Sequence, residues 1–252
     1  GGETVKVVAV SGSPRMKSVT ESFLNCFLEG LGPDVSITRF YPYRMNLKFC
    51  QACWHCWLKT PGKCMLDDDM ADALLALDDA DLVVLASPVY VDGFPGAVKA
   101  FIDRIIPLIE PAITVDAEGH SRHRRRRAKH QTAVLIATCG FPEVDNFDAM
   151  RFHFMAICRN AGWDYGGELV ISQSGIARVP GVFDEKYLLA TKAGQECRLG
   201  RISGETIDLI SRPILEHETY RQVVNASFEG GFRGQASELL RKALNGNKKD
   251  LV

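Results

Sequence analysis

The chain has no apolar run of membrane-spanning length, and its 252 residues carry a formal net charge of -1, so nothing in it gathers an anionic membrane or a nucleic acid. It lacks a charged N-terminal segment followed by an apolar stretch, and Gly1-Gly2 reads as an appended remnant rather than a targeting signal, which makes the cytoplasm the expected compartment. Cysteine is too scarce for a disulfide scaffold: eight in a chain of this length suit thiols or metal ligands in a reducing compartment. Neither G-x-G-x-x-G nor G-x-x-x-x-G-K-[ST] occurs, which removes support for the dinucleotide fingerprint and the Walker A loop. No internal repeat is found. What is there, 46% hydrophobic residues, is ample for the core of one large domain or two small ones.

Val5 to Val10 is a short β-branched run without polar alternation, as expected of a parallel strand covered on both faces. It hands over directly to Ser11, Gly12, Ser13, Pro14, Arg15, Lys17, Ser18 and Thr20, and then to Phe23, Leu24, Phe27, Leu28 and Leu31 at helical spacing. Unpaired N–H groups at a helix start, hydroxyl donors and a forked guanidinium suit a phosphomonoester such as that of FMN. The same residues would also serve as an ordinary helix cap.

Farther along, Val35 to Phe40 reads as a second strand, and Asp67, Asp68 and Asp69 lead into a helix through Met70, Ala73, Leu74 and Leu77, where the helix dipole favours acids. Leu82 to Ala86 is a third strand, ending in the loop 87–96 before a helix from Ala97 to Ile109. Residues 110–130 read as a basic loop carrying Arg122, Arg124, Arg125, Arg126 and Arg127, either a solvated excursion or a contact for the extra phosphate of NADPH or for an acidic partner. Thr132 to Ala137 is a fourth strand, Phe147 to Asn160 a helix and Gly167 to Ser172 a fifth strand. Helices follow at Tyr187 to Cys197 and Glu205 to Leu215, and the tail from Tyr220 holds Val223, Val224, Phe228 and Phe232.

Five strands alternating with helices predict an α/β fold with a doubly wound parallel sheet, because parallel neighbours need crossover helices that cover both faces. The order 2-1-3-4-5 brings the loops after strands one, three and four to one edge, where they make one pocket. The expected division is a domain over 1–200, with a cysteine-containing insertion at 46–66 and the basic loop at 110–130, and a helical C-terminal extension over 201–252.

Cys50, Cys53, Cys56 and Cys64 have the form C-x2-C-x2-C-x7-C, four of the eight cysteines within fifteen residues. The first three match ferredoxin-type cluster spacing rather than the paired knuckles of zinc sites. A cluster, a zinc ion, and free thiols or an oxidised pair all stand open at this point.

The stretches SGSPRMKSVT at 11–20, CQACWHCWLKTPGKCMLDDDM at 50–70, SPVYVDGFPGAVKAFIDR at 87–104 and ATCGFP at 137–142 together resemble the flavodoxin-like NAD(P)H-dependent FMN reductases. Within them the resemblance is to the branch with a compact cysteine motif, which includes the iron-sulfur flavoproteins, and it spans residues 5–175. It implies a flavodoxin-like fold in which Ser11, Ser13, Arg15, Ser18 and Thr20 hold the FMN phosphate. Pro88, Val89, Tyr90 and Gly93 would flank the isoalloxazine, and Thr138, Cys139, Gly140 and Phe141 would close its third side. Gly93 and Gly140 allow close backbone approach, and Tyr90 and Phe141 offer aromatic faces. The resemblance further implies NAD(P)H as co-substrate and a candidate [4Fe-4S] cluster at Cys50, Cys53, Cys56 and Cys64. It also implies self-association to a homodimer or homotetramer, for which the tail offers apolar clusters without a place in a five-stranded core. Flavin carries the hydride chemistry itself, so no catalytic acid, base or nucleophile is expected, and His120, His123, His130 and His153 are read as surface or structural.

Three functions follow. The first is an FMN-dependent oxidoreductase that takes hydride from NAD(P)H and reduces a small acceptor, quinone-like or another oxidised aromatic. The second is an iron-sulfur flavoprotein moving electrons between a ferredoxin-like protein and FMN. The third is a non-enzymatic binding module stabilised by zinc. No nucleic acid and no membrane enters any of them.

Overall fold

The computed structural model describes residues 4–230 and 234–247; Gly1, Gly2 and Phe232 lie outside the described residues. The chain begins with β1 (Val5–Ser11), α1 (Val19–Gly30), β2 (Val35–Phe40), the short α2 (His55–Leu58), α3 (Met70–Asp79), β3 (Leu82–Pro88) and α4 (Gly96–Asp103). A hairpin of β4 (Ile109–Val115) and β5 (Ser121–Arg125) comes next, then β6 (Thr132–Thr138), α5 (Asp148–Ala161), β7 (Asp164–Ile171) and α6 (Asp184–Arg198). Three further helices, α7 (Gly204–Ser211), α8 (His217–Gly230) and α9 (Gln235–Asn247), complete the described chain.

The five parallel strands stand in the order β2-β1-β3-β6-β7, the expected doubly wound order once the hairpin is set aside. Alternate residues of one strand supply opposite faces, which is why a run such as Val7 to Val10 is apolar throughout. Val8, Val10, Val83, Leu85 and Leu135 pack under α3, α4 and α5, against Met70, Leu77, Val98, Phe101 and Phe154. Val7, Ala9, Val84, Val134 and Ile136 pack on the other face against Phe23, Phe27, Ala190 and Ala193 of α1 and α6. Each buried Val, Leu, Ile, Phe or Met among them contributes about 1.5–3 kcal/mol. The two helices of that second face meet backbone to backbone: a Cβ built on Gly194 would stand 2.0 Å from the Phe27 carbonyl oxygen, and one on Gly30 2.0 Å from that of Thr191.

Two expectations are corrected. Residues 110–130 are a two-stranded antiparallel ribbon rather than a loop, pairing Ile113 with His123, Thr114 with Arg122 and Val115 with Ser121. Its apolar residues Ile113 and Val115 are exposed, so the ribbon carries no buried stripe whose period could reveal it. The tail, likewise, has a place within its own chain: Ile202 and Ile210 join the second face, and Leu215, Tyr220, Val223 and Leu240 bury themselves with Ile176 in a third cluster. Phe228, 85% exposed, is the part of the tail pattern left to solvent.

Candidate functional site

The C-terminal edge of the sheet gathers the three expected loops. At the first, the Gly12 N–H donates to the Ala86 carbonyl (2.6 Å), and a Cβ at Gly12 would fall 2.6 Å from Val98 Cγ2, so glycine is required by close approach to α4. Ser18 has the extended backbone of an N-cap, and its hydroxyl accepts from the Glu21 N–H (3.1 Å). The Ser13 hydroxyl accepts from the Arg15 N–H (3.2 Å), which folds the turn back on itself. Both hydroxyls keep their own hydrogens for a further acceptor, and Arg15 is exposed beside them.

Ser11 and Thr20 point elsewhere. Buried Ser11 donates to the Glu21 carboxylate, which Arg39 also holds (2.9 Å). Thr20 Oγ1 is hydrogen-bonded to Thr138 Oγ1 (2.7 Å), tying the first loop to the third. Of the five residues expected at the phosphate, then, Ser13, Arg15 and Ser18 present side chains at the turn, while the hydroxyls of Ser11 and Thr20 brace it from behind.

The second and third loops are stitched by the Val89 N–H donating to the Thr138 carbonyl (2.8 Å). Tyr90 and Gly93 exchange backbone bonds of 3.0 and 3.2 Å around Val91 and Asp92, which have φ of 45° and 62°. A β-branched residue in left-handed backbone is strained, and Val91 is 99% exposed, so burial does not compensate it. In the third loop Cys139 and Thr138 are buried, and burial pushes the Cys139 thiol up, which suits a packing role. Gly140 and Phe141 are exposed, Phe141 at 65%.

Sequence reasoning missed the fourth wall. A cavity of ≈ 740 Å³ is lined by Arg15 and Ser18 of the first loop, Gly140 of the third, Arg178 after β7, and Val224 and Phe228 of α8. Pro88, Val89, Tyr90 and Gly93 do not line it. An adjoining cavity of ≈ 500 Å³ shares Gly140, Val224 and Phe228 and adds Phe141 and Tyr220. The Tyr220 hydroxyl donates to the Gly140 carbonyl; the Gln173 side chain donates to the Leu215 carbonyl and accepts from the N–H groups of Ile214 and Leu215, while the Gln173 backbone N–H donates to the Phe141 carbonyl. The apolar spacing around Tyr220 is visible in the sequence, but only the fold places it against the third loop.

The cysteine segment forms a second centre. Cys50, Cys53, Cys56 and Cys64 line one small cavity together with Arg104, Ile106 and Pro107, with ≈ 20 Å³ of free space at its heart. Ala52 and Trp54, on either side of Cys53, take left-handed φ of 49° and 58° and bend the chain around that space. Burial, then the neighbouring thiols, push the Cys56 thiol up. Asp68 is not the simple helix-start acid expected: it forms a buried fork with Arg104 (2.6 and 2.9 Å), whose Nη2 also donates to Cys64 Sγ (3.3 Å). Arg126 donates to the carbonyls of Cys56 (3.2 Å) and Pro107 (3.0 Å), and Trp57 lies between Trp54 (4.8 Å) and His123 of the ribbon (4.9 Å).

The arginine run is accordingly spent on bracing: Arg122 pairs with Asp116, Arg124 with Glu110 and Arg127 with Asp79. His153 packs edge-on against Phe94.

Whether these thiols fit a metal group can be tested on their spread. Among the described residues the three-donor group within 4.8 Å is Asp116, Glu118 and His120 at the ribbon turn, so no three of the four sulfurs stand that close. A zinc thiolate with bonds of about 2.3 Å needs sulfurs about 3.8 Å apart, whereas a cluster interposes several irons and holds its thiolates wider. The spread is therefore wider than a zinc thiolate site, and what speaks for a cluster is the donor chemistry, four thiols lining one cavity with Cys50 and Cys53 exposed.

A family model described as NADPH-dependent FMN reductase matches residues 5–152. Among curated relatives, an iron-sulfur flavoprotein of Archaeoglobus fulgidus is 38% identical over 104 residues, 41% of this chain and 52% of that one. One of Methanosarcina thermophila is 29% identical over 109 residues, 41% and 54% of the two chains. The chain spans about half the length of the curated relatives it matches. In fold it is similar to an NAD(P)H:quinone oxidoreductase from Methanothermobacter marburgensis, with TM-score 0.57 at 19% identity, covering 77% of this chain and 97% of that one. An FMN-dependent NADH-azoreductase from Bacillus anthracis, in complex with FMN, gives TM-score 0.56 at 16% identity, covering 77% and 98%.

Proposed function

Since the chain belongs to the NADPH-dependent FMN reductase family, we propose that it is an FMN-dependent oxidoreductase that takes hydride from NAD(P)H and reduces a small acceptor, quinone-like or another oxidised aromatic. The observation that supports this reading is the Ser18-capped start of α1 set directly beyond β1, with the Ser13 hydroxyl accepting from the Arg15 N–H in the turn between them and the loops after β3 and β6 stitched to each other. Flavin supplies the hydride chemistry when bound. The residues supply the rest: Ser13, Arg15 and Ser18 hold a phosphate, Tyr90 and Phe141 offer aromatic faces to a flat ring, and Gly93 and Gly140 let the backbone come close to it. In this reading Pro88 and Val89 set the height of the ring, and Thr138 and Cys139 fix the third loop from beneath.

The four thiols around one cavity favour a second reading of the same molecule, in which Cys50, Cys53, Cys56 and Cys64 hold a [4Fe-4S] cluster that exchanges electrons with a ferredoxin-like protein. Exposed Phe228 supports the proposed homodimer or homotetramer, and eight free cysteines support a reducing, cytoplasmic setting. The visible spectrum of anaerobically purified protein tests both readings. Flavin bands with the broad absorption of a cluster are expected; a colourless protein that takes up no FMN on titration would remove the reductase.

A further inference from the structure

We infer that Arg104 is itself a partner of the group held by the four cysteines, giving its Nε–H to a bridging sulfide beside the Nη2–H it gives to Cys64. The inference rests on the cluster reading above. A guanidinium has five N–H donors, and here four have acceptors. Nη1 serves the Lys48 carbonyl (2.6 Å) and Asp68 Oδ2 (2.6 Å); Nη2 serves Asp68 Oδ1 (2.9 Å) and Cys64 Sγ (3.3 Å). The fifth, on Nε, is buried and has none.

An ion pair alone does not account for that arrangement. The side chains of Arg104 and Asp68 are 1% and 0% exposed, and a lysine would neutralise the same carboxylate with less to satisfy. Arginine at this position leaves a donor over, and folded proteins rarely bury a donor that nothing accepts. Arg104 also lines the cavity shared by the four cysteines, so the spare donor belongs to a residue already at the wall of the site. Sulfide and thiolate are both acceptors, and N–H groups directed at them favour the more negative, reduced form of a cluster. Asp68 holds the guanidinium in orientation from behind, as outer carboxylates do for metal-binding histidines.

The test uses full-length protein, FMN-loaded and anaerobically reconstituted with iron and sulfide, as wild type, Arg104→Lys and Arg104→Gln. FMN content reports folding, iron and sulfide analysis reports occupancy, and a redox titration followed by electron paramagnetic resonance reports the cluster midpoint. Arg104→Lys keeps the charge beside Asp68 but loses the fork and the Nε–H. It is expected to retain FMN, to lose iron about 10-fold faster than wild type on exposure to air, and to titrate at a more negative midpoint. Arg104→Gln is expected to do the same to a greater extent; should it lose FMN as well, Arg104→Lys decides. An Arg104→Lys protein with wild-type FMN content, iron retention and midpoint overturns the role of Arg104 and leaves the cluster standing. A wild-type protein that takes up no iron overturns the cluster and this inference together.

Discussion

Replacing Gly194 by alanine tests how tightly the sheet's second face is closed. The added Cβ would stand 2.0 Å from the Phe27 carbonyl oxygen and 3.0 Å from Gly30 Cα, where contacts under 3.0 Å are essentially never seen. The obstacle is main chain, so no side chain can swing aside, and α6 must retreat from α1 by about 1 Å. Such a gap forfeits about a quarter to a half of the dispersion between the facing side chains, Phe23 and Phe27 with Ala190 and Ala193. Overpacking of this kind costs about 1–3 kcal/mol, and the rigid backbone puts it at the upper end. Alanine's better helix propensity returns about 1 kcal/mol, so the net loss is about 2 kcal/mol. Gly204 is the matched control, because a Cβ there meets nothing within 4 Å. In urea denaturation followed by fluorescence, Gly194→Ala should lower the midpoint by about 1 M, while Gly204→Ala should leave it unchanged or raise it. Equal midpoints for the two variants would refute the reasoning. Because α1 is capped by Ser18, the first variant should also bind FMN more weakly than the second.

Arg15→Ala with Ser18→Ala should weaken FMN binding in titrations, and loss of the cap alone should cost about 0.5–2 kcal/mol of stability; unchanged affinity would move the phosphate elsewhere. Replacing Cys50, Cys53, Cys56 or Cys64 singly by alanine should remove most iron while FMN stays, since the loops proposed to hold flavin are separate in sequence; metal analysis beside the flavin spectrum reads both. Burial opposes the charge of Asp68, but Arg104 and the N–H groups of Lys48 and Met70 outweigh it and hold its carboxyl below the ordinary range. A carboxyl depressed by folding stabilises above its unfolded value of about 4 and loses that contribution as pH falls through the lower folded value. The emission of Trp54 and Trp57 should therefore change below about pH 4 as the segment loosens, and Asp68→Asn should show the loosened signal already at neutral pH. A flat Asp68→Asn comparison would separate Asp68 from the hold on the segment.

The sheet was legible because Val5 to Val10 and Leu82 to Ala86 are apolar on both faces, a pattern that local chemistry writes directly into the chain. Helix ends were legible only where a breaker stood beside them. Helix α7, expected to reach Leu215, stops at Ser211, because Arg212 precedes Pro213 and is driven into extended backbone (ψ 135°). Strand β7 starts three residues earlier than expected, at Asp164, since Gly166 and Gly167 (φ 123°) and a register shift hide its first residues. The turn after β1 showed its donors in the sequence, yet the division between Ser13 and Ser18 at the turn and Ser11 and Thr20 behind it depends on Glu21 and Thr138, which only packing brings near. The Asp68 fork was invisible for the same reason: its partner lies 36 residues away.

That separation has a consequence in time. The cysteines leave the ribosome before the residues that steady them, since Arg104 lies 40 residues beyond Cys64 and Arg126 lies 70 beyond Cys56. At ordinary rates of synthesis the interval is on the order of seconds, during which four thiols are displayed on a segment with neither fork nor brace. Strands β1 and β2 can already pair in that interval, but β6 cannot, so the third loop and the ribbon are still to come. The cysteine segment is therefore complete only after the ribbon has folded back and Arg126 has reached the Cys56 carbonyl.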